Sequence, residues 1–167
     1  LHKLLKVLPL DDWVALHSVN LPEHEYKTCG EIDFVVISPL GILVLEVKSG
    51  GIQNKNGIWK TQDRWGKIHR LRESPFDQAK SNTFSLMERL KKKLPSELAK
   101  KIPFAWAAVI PDVSFQETSV EWVDAQVFDK QTVSTPNNLK QAILKLGKHA
   151  QESQNRSKGY TYDLSAE

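Results

Sequence analysis

The run Phe-Ala-Trp-Ala-Ala-Val-Ile at residues 104–110 does most to restrict how this chain can fold. It is apolar at every position and stands between Pro103 and Pro111. A strand with one face in water alternates apolar and polar residues, so an unbroken apolar run requires cover on both faces. The flanking prolines bound the run at the length of a strand. A central strand of this kind needs a sheet with other elements packed on each side of it.

The rest of the sequence supplies those elements. Leu1, Leu4, Leu5 and Leu8 recur at helical spacing and Pro9 ends the pattern. The segment Trp13 to Leu21 reads as a strand, and Pro22 to Cys29 as a loop. Residues 30–51, GEIDFVVISPLGILVLEVKSGG, read as a hairpin turning at Ser38-Pro39-Leu40-Gly41. Between Gly51 and Leu71, short segments separated by KNG and DRWG turns predict one or two peripheral hairpins. Ser74 can cap a helix with Pro75 at its first position and Asp77 in its first turn. Phe76, Ala79, Thr83, Met87, Leu90 and Leu94 form the apolar stripe of that helix, and Pro95 stops it. A further strand is expected over 120–128, and a last helix from Thr135-Pro136 to about Gln151. This order predicts an α/β (α+β) fold, a central mixed β-sheet flanked by helices. The folded unit is expected over 1–152, with 153–167 a polar tail or linker; both termini read as boundaries within a larger polypeptide.

Nothing in the chain approaches a membrane-spanning length of apolar residues, and residues 1–13 lack the regions of a signal peptide. One cysteine, Cys29, excludes an internal disulfide and leans toward a reducing, cytoplasmic location. The net charge of +3 is small, but it is unevenly placed. Residues 51–101 hold 13 Lys and Arg against 5 Asp and Glu, while the remainder is acidic. A positive middle suits a polyanion such as DNA; it also suits a solvated basic helix face, as at Lys91–Lys93.

The hairpin poses the chemical question. Its strands are apolar except for Glu31, Asp33, Glu46 and Lys48. A four-residue connection pairs Ile37 with Ile42, which brings Asp33 opposite Glu46 and Glu31 opposite Lys48, all on one face. Phe34, Val36, Leu43, Leu45 and Val47 then line the other face. Two carboxylates across a ladder repel unless one is protonated, both reach water, or a cation lies between them. Paired hard oxygen ligands suit Mg²⁺, and an adjacent Lys can orient water or stabilise charge on a phosphate. An exposed sheet edge decorated with Glu and Lys is the other reading of the same residues. Asp inside a strand with no Lys facing it argues against that second reading.

These residues also resemble a known family. The run EIDFVVISPLGILVLEVKSGGI, the GIW that follows it and the later SPFDQA are similar to the nuclease-related domain, NERD, of the PD-(D/E)XK nuclease superfamily. The likeness covers about residues 1–110, and DDWVALHSVNL is similar to versions fused ahead of bacterial superfamily 1 helicases. The resemblance implies a restriction-endonuclease-like core and hydrolysis of DNA phosphodiesters with Mg²⁺ (or Mn²⁺). It implies Asp33 and Glu46 as metal ligands, the carbonyl of Val47 as a further ligand, Lys48 as the catalytic lysine and Gln78 as a supporting residue. It further implies a fused or associated helicase and a role in DNA processing or anti-phage defence. A non-catalytic nuclease-like module that binds DNA or docks a partner is the alternative.

One departure stands out: the superfamily adds a Glu from its first helix, and residues 1–9 contain none. That acid is expected upstream of Leu1, with Glu23 or Glu25 as poorer substitutes and Glu31 as the partner of Lys48. The five histidines lack metal-ligand spacing, and no nucleophile elbow or phosphate-binding glycine loop is present. Trp59 and Trp65 lie among Lys60, Arg64, Lys67, Arg70 and Arg72, a pattern that suits stacking against nucleic acid. Trp59 is instead expected in the small core of the peripheral hairpin. Asn82 and Arg89 share a helical face with Gln78. Oligomeric state is not readable from the sequence.

Overall fold

A computed structural model of the chain describes residues 1–8, 12–21 and 30–159. The expected loop at 22–29, with Glu23, Glu25 and Cys29, and the stop at Pro9 lie outside the described residues. A five-stranded mixed sheet forms the centre. Its strands are β1 (Val14–Leu21), β2 (Gly30–Ser38), β3 (Gly41–Val47), β7 (Phe104–Ile110) and β8 (Val127–Asp129), in that spatial order. β2 runs antiparallel to both β1 and β3, while β7 lies parallel to both β3 and β8.

Both faces of this sheet are covered, as the run at 104–110 requires. One face packs Phe34, Val36, Leu43, Leu45, Ala107 and Val109 under α1 (His2–Lys6) and α4 (Pro136–Gly159), which contribute Leu5, Leu139, Ile143 and Leu146. The other face carries Val35, Ile42 and Val44 toward α2 (Pro75–Lys93), with Leu86 and Leu90 packed against them. The β2–β3 register pairs Ile37 with Ile42 as the turn residues predict. Gly41 sits there at φ +129°, close against the carbonyl of Pro103.

Between β3 and α2 the chain builds a separate three-stranded antiparallel sheet, β4 (Gln53–Lys55), β5 (Ile58–Gln62) and β6 (Ile68–Arg70). Trp59 from its inner side is buried with Phe76 and Trp122, and Phe115 packs on the group. Phe76 and Trp122 stack with ring centroids 4.3 Å apart. The small sheet is therefore anchored to the N-terminal end of α2.

Helix α2 begins as its sequence dictates. Ser74 Oγ accepts the N–H groups of Phe76 and Asp77 at 3.1 and 3.2 Å. The C-terminal third differs from expectation in two places. The strand expected over 120–128 is confined to Val127–Asp129, preceded by a 3₁₀ turn at Asp124–Gln126. Trp122 turns inward to the aromatic cluster while Val120 is fully exposed, so the segment has no continuous face to lay on the sheet. The last helix continues beyond Gln151 to Gly159. Its polar final turns contain no breaker before that glycine.

Candidate active site

The site forms where the β2–β3 ladder opens. Regular pairing ends at Phe34 and Leu45, one step short of Asp33 and Glu46. On the opposite side of β2, β1 pairs at His17–Phe34 and Val19–Ile32 but not at Ser18, which has φ +54°. A left-handed conformation is unusual for a residue with a side chain, and it interrupts the ladder beside Asp33. Asp33 thus lies at a break on both flanks.

Its carboxylate takes over where the backbone stops pairing. Asp33 Oδ2 accepts the N–H of Val47 at 2.7 Å. This satisfies a main-chain donor that the opened ladder would leave without a partner. The N–H and carbonyl of one residue leave an extended strand on the same side, so the carbonyl of Val47 also turns toward the strand of Asp33. The next residue faces the other way, with Lys48 N–H donating to the carbonyl of Val109 at 2.9 Å.

Glu46 projects to the α2 face and is only 2% exposed. Both of its oxygens are engaged. Lys48 Nζ donates to Oε1 at 2.9 Å, and Asn82 Nδ2 donates to Oε2 at 3.1 Å. The same Asn82 amide reaches the carbonyl of Glu31 at 3.3 Å, tying α2 to both strands. Burial pushes the proton affinity of Glu46 above that of an ordinary carboxyl, Lys48 opposes it, and nearby Asp33 adds to the rise. Lys48 remains one-quarter exposed, so its ammonium spans the buried carboxylate and solvent.

Asp33, Glu46, Val47 and Lys48 are thus brought together. Gln78 is half-buried and one helical turn before Asn82, on the same face of α2. The expected pairing of Glu31 with Lys48 is corrected: the Glu31 side chain is exposed, and Lys48 pairs with Glu46. Two residues apart on one strand, Lys48 and Glu46 share a face, and the desolvated carboxylate is the stronger claimant for the ammonium. The role of Asn82 as direct support for Glu46 was only partly visible, as a polar residue four positions after Gln78. Its burial within an otherwise apolar interface would have been the signal.

A sequence model described as the nuclease-related domain matches residues 1–111. The chain belongs to the NERD family. Comparison with curated proteins and with solved structures gives no match. The matched span ends just past β7, so the NERD region contains every residue of the site and the central strands that hold it.

The donor chemistry fits a hard divalent cation in kind. Two carboxylates and a main-chain carbonyl are oxygen donors of the sort Mg²⁺ and Mn²⁺ take, leaving positions for water. The acidic set is small, however. Among the described residues no three or more His, Cys, Asp or Glu side chains gather at one point. Nor, among the described residues, is any helix long and apolar enough to cross a membrane.

Proposed function

We propose that this NERD chain is a divalent-metal-dependent nuclease domain that hydrolyses DNA phosphodiester bonds. The observation that carries the reading is the meeting of Asp33, Glu46 and Lys48 at the opened end of the hairpin, with Lys48 Nζ 2.9 Å from Glu46. Asp33, Glu46 and the carbonyl of Val47 would hold the cation. Bound there, Mg²⁺ or Mn²⁺ would supply Lewis acidity and offset charge on the phosphate.

The chain's own groups then have distinct tasks. Asp33 is fixed in place by the Val47 N–H, and Glu46 by Asn82. Lys48 offers its ammonium to the charge that develops as water adds to phosphorus and the ester oxygen leaves. Gln78 lies within one helical turn of the site-supporting Asn82 and is suited to contact the cut strand. The cationic segment at 51–101 supports a polyanionic substrate.

Purified protein given linear and circular DNA with Mg²⁺ or Mn²⁺ is expected to cut, and Lys48→Ala to abolish cutting. Cleavage that survives Lys48→Ala rules this site out as its source. The similarity of DDWVALHSVNL to helicase-fused domains favours a place in a larger helicase-associated DNA-processing or defence protein of the cytoplasm.

A second reading is favoured by one specific feature. Lys48 already pairs with Glu46, which gives the buried carboxylate a cationic partner without a metal. A non-catalytic nuclease-like module would bind DNA or dock a partner, and its DNA binding would be salt-sensitive, independent of Mg²⁺ and unchanged by Asp33→Asn.

A further inference from the structure

Trp65 departs from the other indoles near the small sheet. Trp59 and Trp122 are buried in the aromatic cluster, whereas Trp65 is 77% exposed. That exposure does not come from a loose turn. Asp63 Oδ1 accepts the N–H groups of Trp65 and Lys67 at 3.0 and 2.9 Å, and Gln62 Nε2 donates to the Gly66 carbonyl at 3.1 Å. Asp63 Oδ2 pairs with His69 Nε2 at 3.1 Å, and Gly66 at φ +82° closes the turn. The guanidinium of Arg64 lies 4.4 Å from the Trp65 ring centroid, covering one face of the indole. A hydrogen-bonded turn thus presents a large flat apolar ring to water, where the hydrophobic effect alone would not put it.

The turn is also tied to the chain that leaves the active site. Gly51 and Gln62 exchange main-chain hydrogen bonds at 2.9 and 3.1 Å, and Thr61 Oγ1 donates to the carbonyl of Ser49 at 3.2 Å. Gly51 is three residues after Lys48, and Trp65 three after Gln62, which bounds the path between Lys48 and Trp65 at about 25 Å. A cleft opens between Ser49–Gly51 and Gln62–Trp65. On the outer face of the small sheet, Lys60 lies in register between Gln53 and Arg70. Residues 53–72 hold six Lys and Arg against the carboxylate of Asp63. Asp112 also lines the cleft and Glu117 accepts the N–H of Asn54, so the small sheet keeps an excess of cations that favours a polyanion.

We propose that the Arg64–Trp65 turn is a stacking subsite for an unpaired base of a DNA strand whose backbone runs along the small sheet toward Lys48. The inference rests on the nuclease reading for its direction along the strand. The π face of a base is open to an indole only where the base is unstacked, so such a site favours single-stranded DNA over duplex. Arg64 leaves the other face of the ring for the base and adds cation–π attraction from behind.

The test is anisotropy of a labelled single strand, its blunt duplex and the same strand with abasic positions, in EDTA so that nothing is cut. Trp65→Ala is expected to weaken single-strand binding roughly tenfold to a hundredfold. Duplex binding should stay within about twofold, and Trp65→Phe should retain much of the affinity. Abasic substitution should remove the difference between wild type and Trp65→Ala. Because the ring is exposed, unchanged thermal melting is the folding control. Equal single-strand binding by wild type and Trp65→Ala overturns the proposal, as does an equal loss on duplex. Trp65-dependent binding confined to an oligoribonucleotide overturns the assignment to DNA. If Lys48→Ala stops cleavage but Trp65→Ala changes nothing, the nuclease reading stands and the subsite falls. If wild type cuts no DNA yet needs Trp65 to hold a single strand, the reverse is true.

Discussion

Asp33 Oδ2 accepts the main-chain N–H of Val47 at 2.7 Å, across the point where the β2–β3 ladder comes apart. One side chain therefore closes a gap in the sheet and, under the proposed function, faces a cation with its second oxygen. The two tasks separate by mutation. Asp33→Asn keeps a carbonyl oxygen for Val47 and removes the charge, so urea unfolding should change little while calorimetric uptake of Mn²⁺ disappears. Asp33→Ala loses both, leaving the Val47 donor unpaired at a cost of about 1–3 kcal/mol. Equal stability of the alanine variant and wild type would show that the hydrogen bond contributes nothing.

The sequence revealed this corner well because its signals are local. The turn Ser38-Pro39-Leu40-Gly41 fixed the register, and the period-two alternation of a strand did the rest. Ser74 and Pro75 announced α2 by the same kind of local chemistry. What was hidden depends on contacts distant in sequence. The break in the β1–β2 ladder beside Asp33 falls at Ser18 on a neighbouring strand. Asn82 reaches Glu46 across 36 positions, and nothing in its immediate neighbours marks it as a support. Residues 120–126 read as a strand by composition, but burial of Trp122 in a distant aromatic cluster overrides that preference.

Asn82 is 4% exposed and donates to Glu46 and to the carbonyl of Glu31. Asn82→Ala removes both hydrogen bonds without removing the acceptors, and is expected to cost about 1–3 kcal/mol in denaturant unfolding. Asn82→Asp should be worse at neutral pH, because it sets a second carboxylate against Glu46, and should approach the alanine variant in acid. Comparable losses for the two variants at every pH would mean that residue 82 does not face Glu46.

Two glycines hold the scaffold behind the site at close approach. A Cβ on Gly147 of α4 would meet Leu40 Cδ1 at 2.6 Å and Cβ at 2.7 Å, on the tip of the hairpin. Gly147→Ala should therefore cost about 1–3 kcal/mol, since Leu40 must shift to admit it. Gly41→Ala should cost more. Its Cβ would collide with the main-chain carbonyl of Pro103, and its φ of +129° is one that alanine avoids. Thermal melting of both variants orders the two effects, and a harmless Gly41→Ala would contradict the hairpin register that aligns Asp33 with Glu46.

The protonation of Glu46 gives the site a pH signature in metal-free buffer. Burial raises its pKa in the folded chain above the ordinary value of 4.5, so the folded state keeps a proton that the unfolded state has lost. Stability from this group is complete below the ordinary value and is lost as pH rises through the raised one. Glu46→Gln is neutral throughout and still offers an oxygen to Asn82, so it escapes that loss. Urea unfolding in EDTA should show the variant gaining on wild type as pH is raised from about 4 to about 7. Mn²⁺ added at the upper pH should reverse the trend, because the cation binds the charged carboxylate of the wild type and stabilises the state it binds. A difference between variant and wild type that is flat with pH would mean that Lys48 cancels the whole cost of burying the charge. The site would then be balanced by its own lysine, as the non-catalytic reading requires.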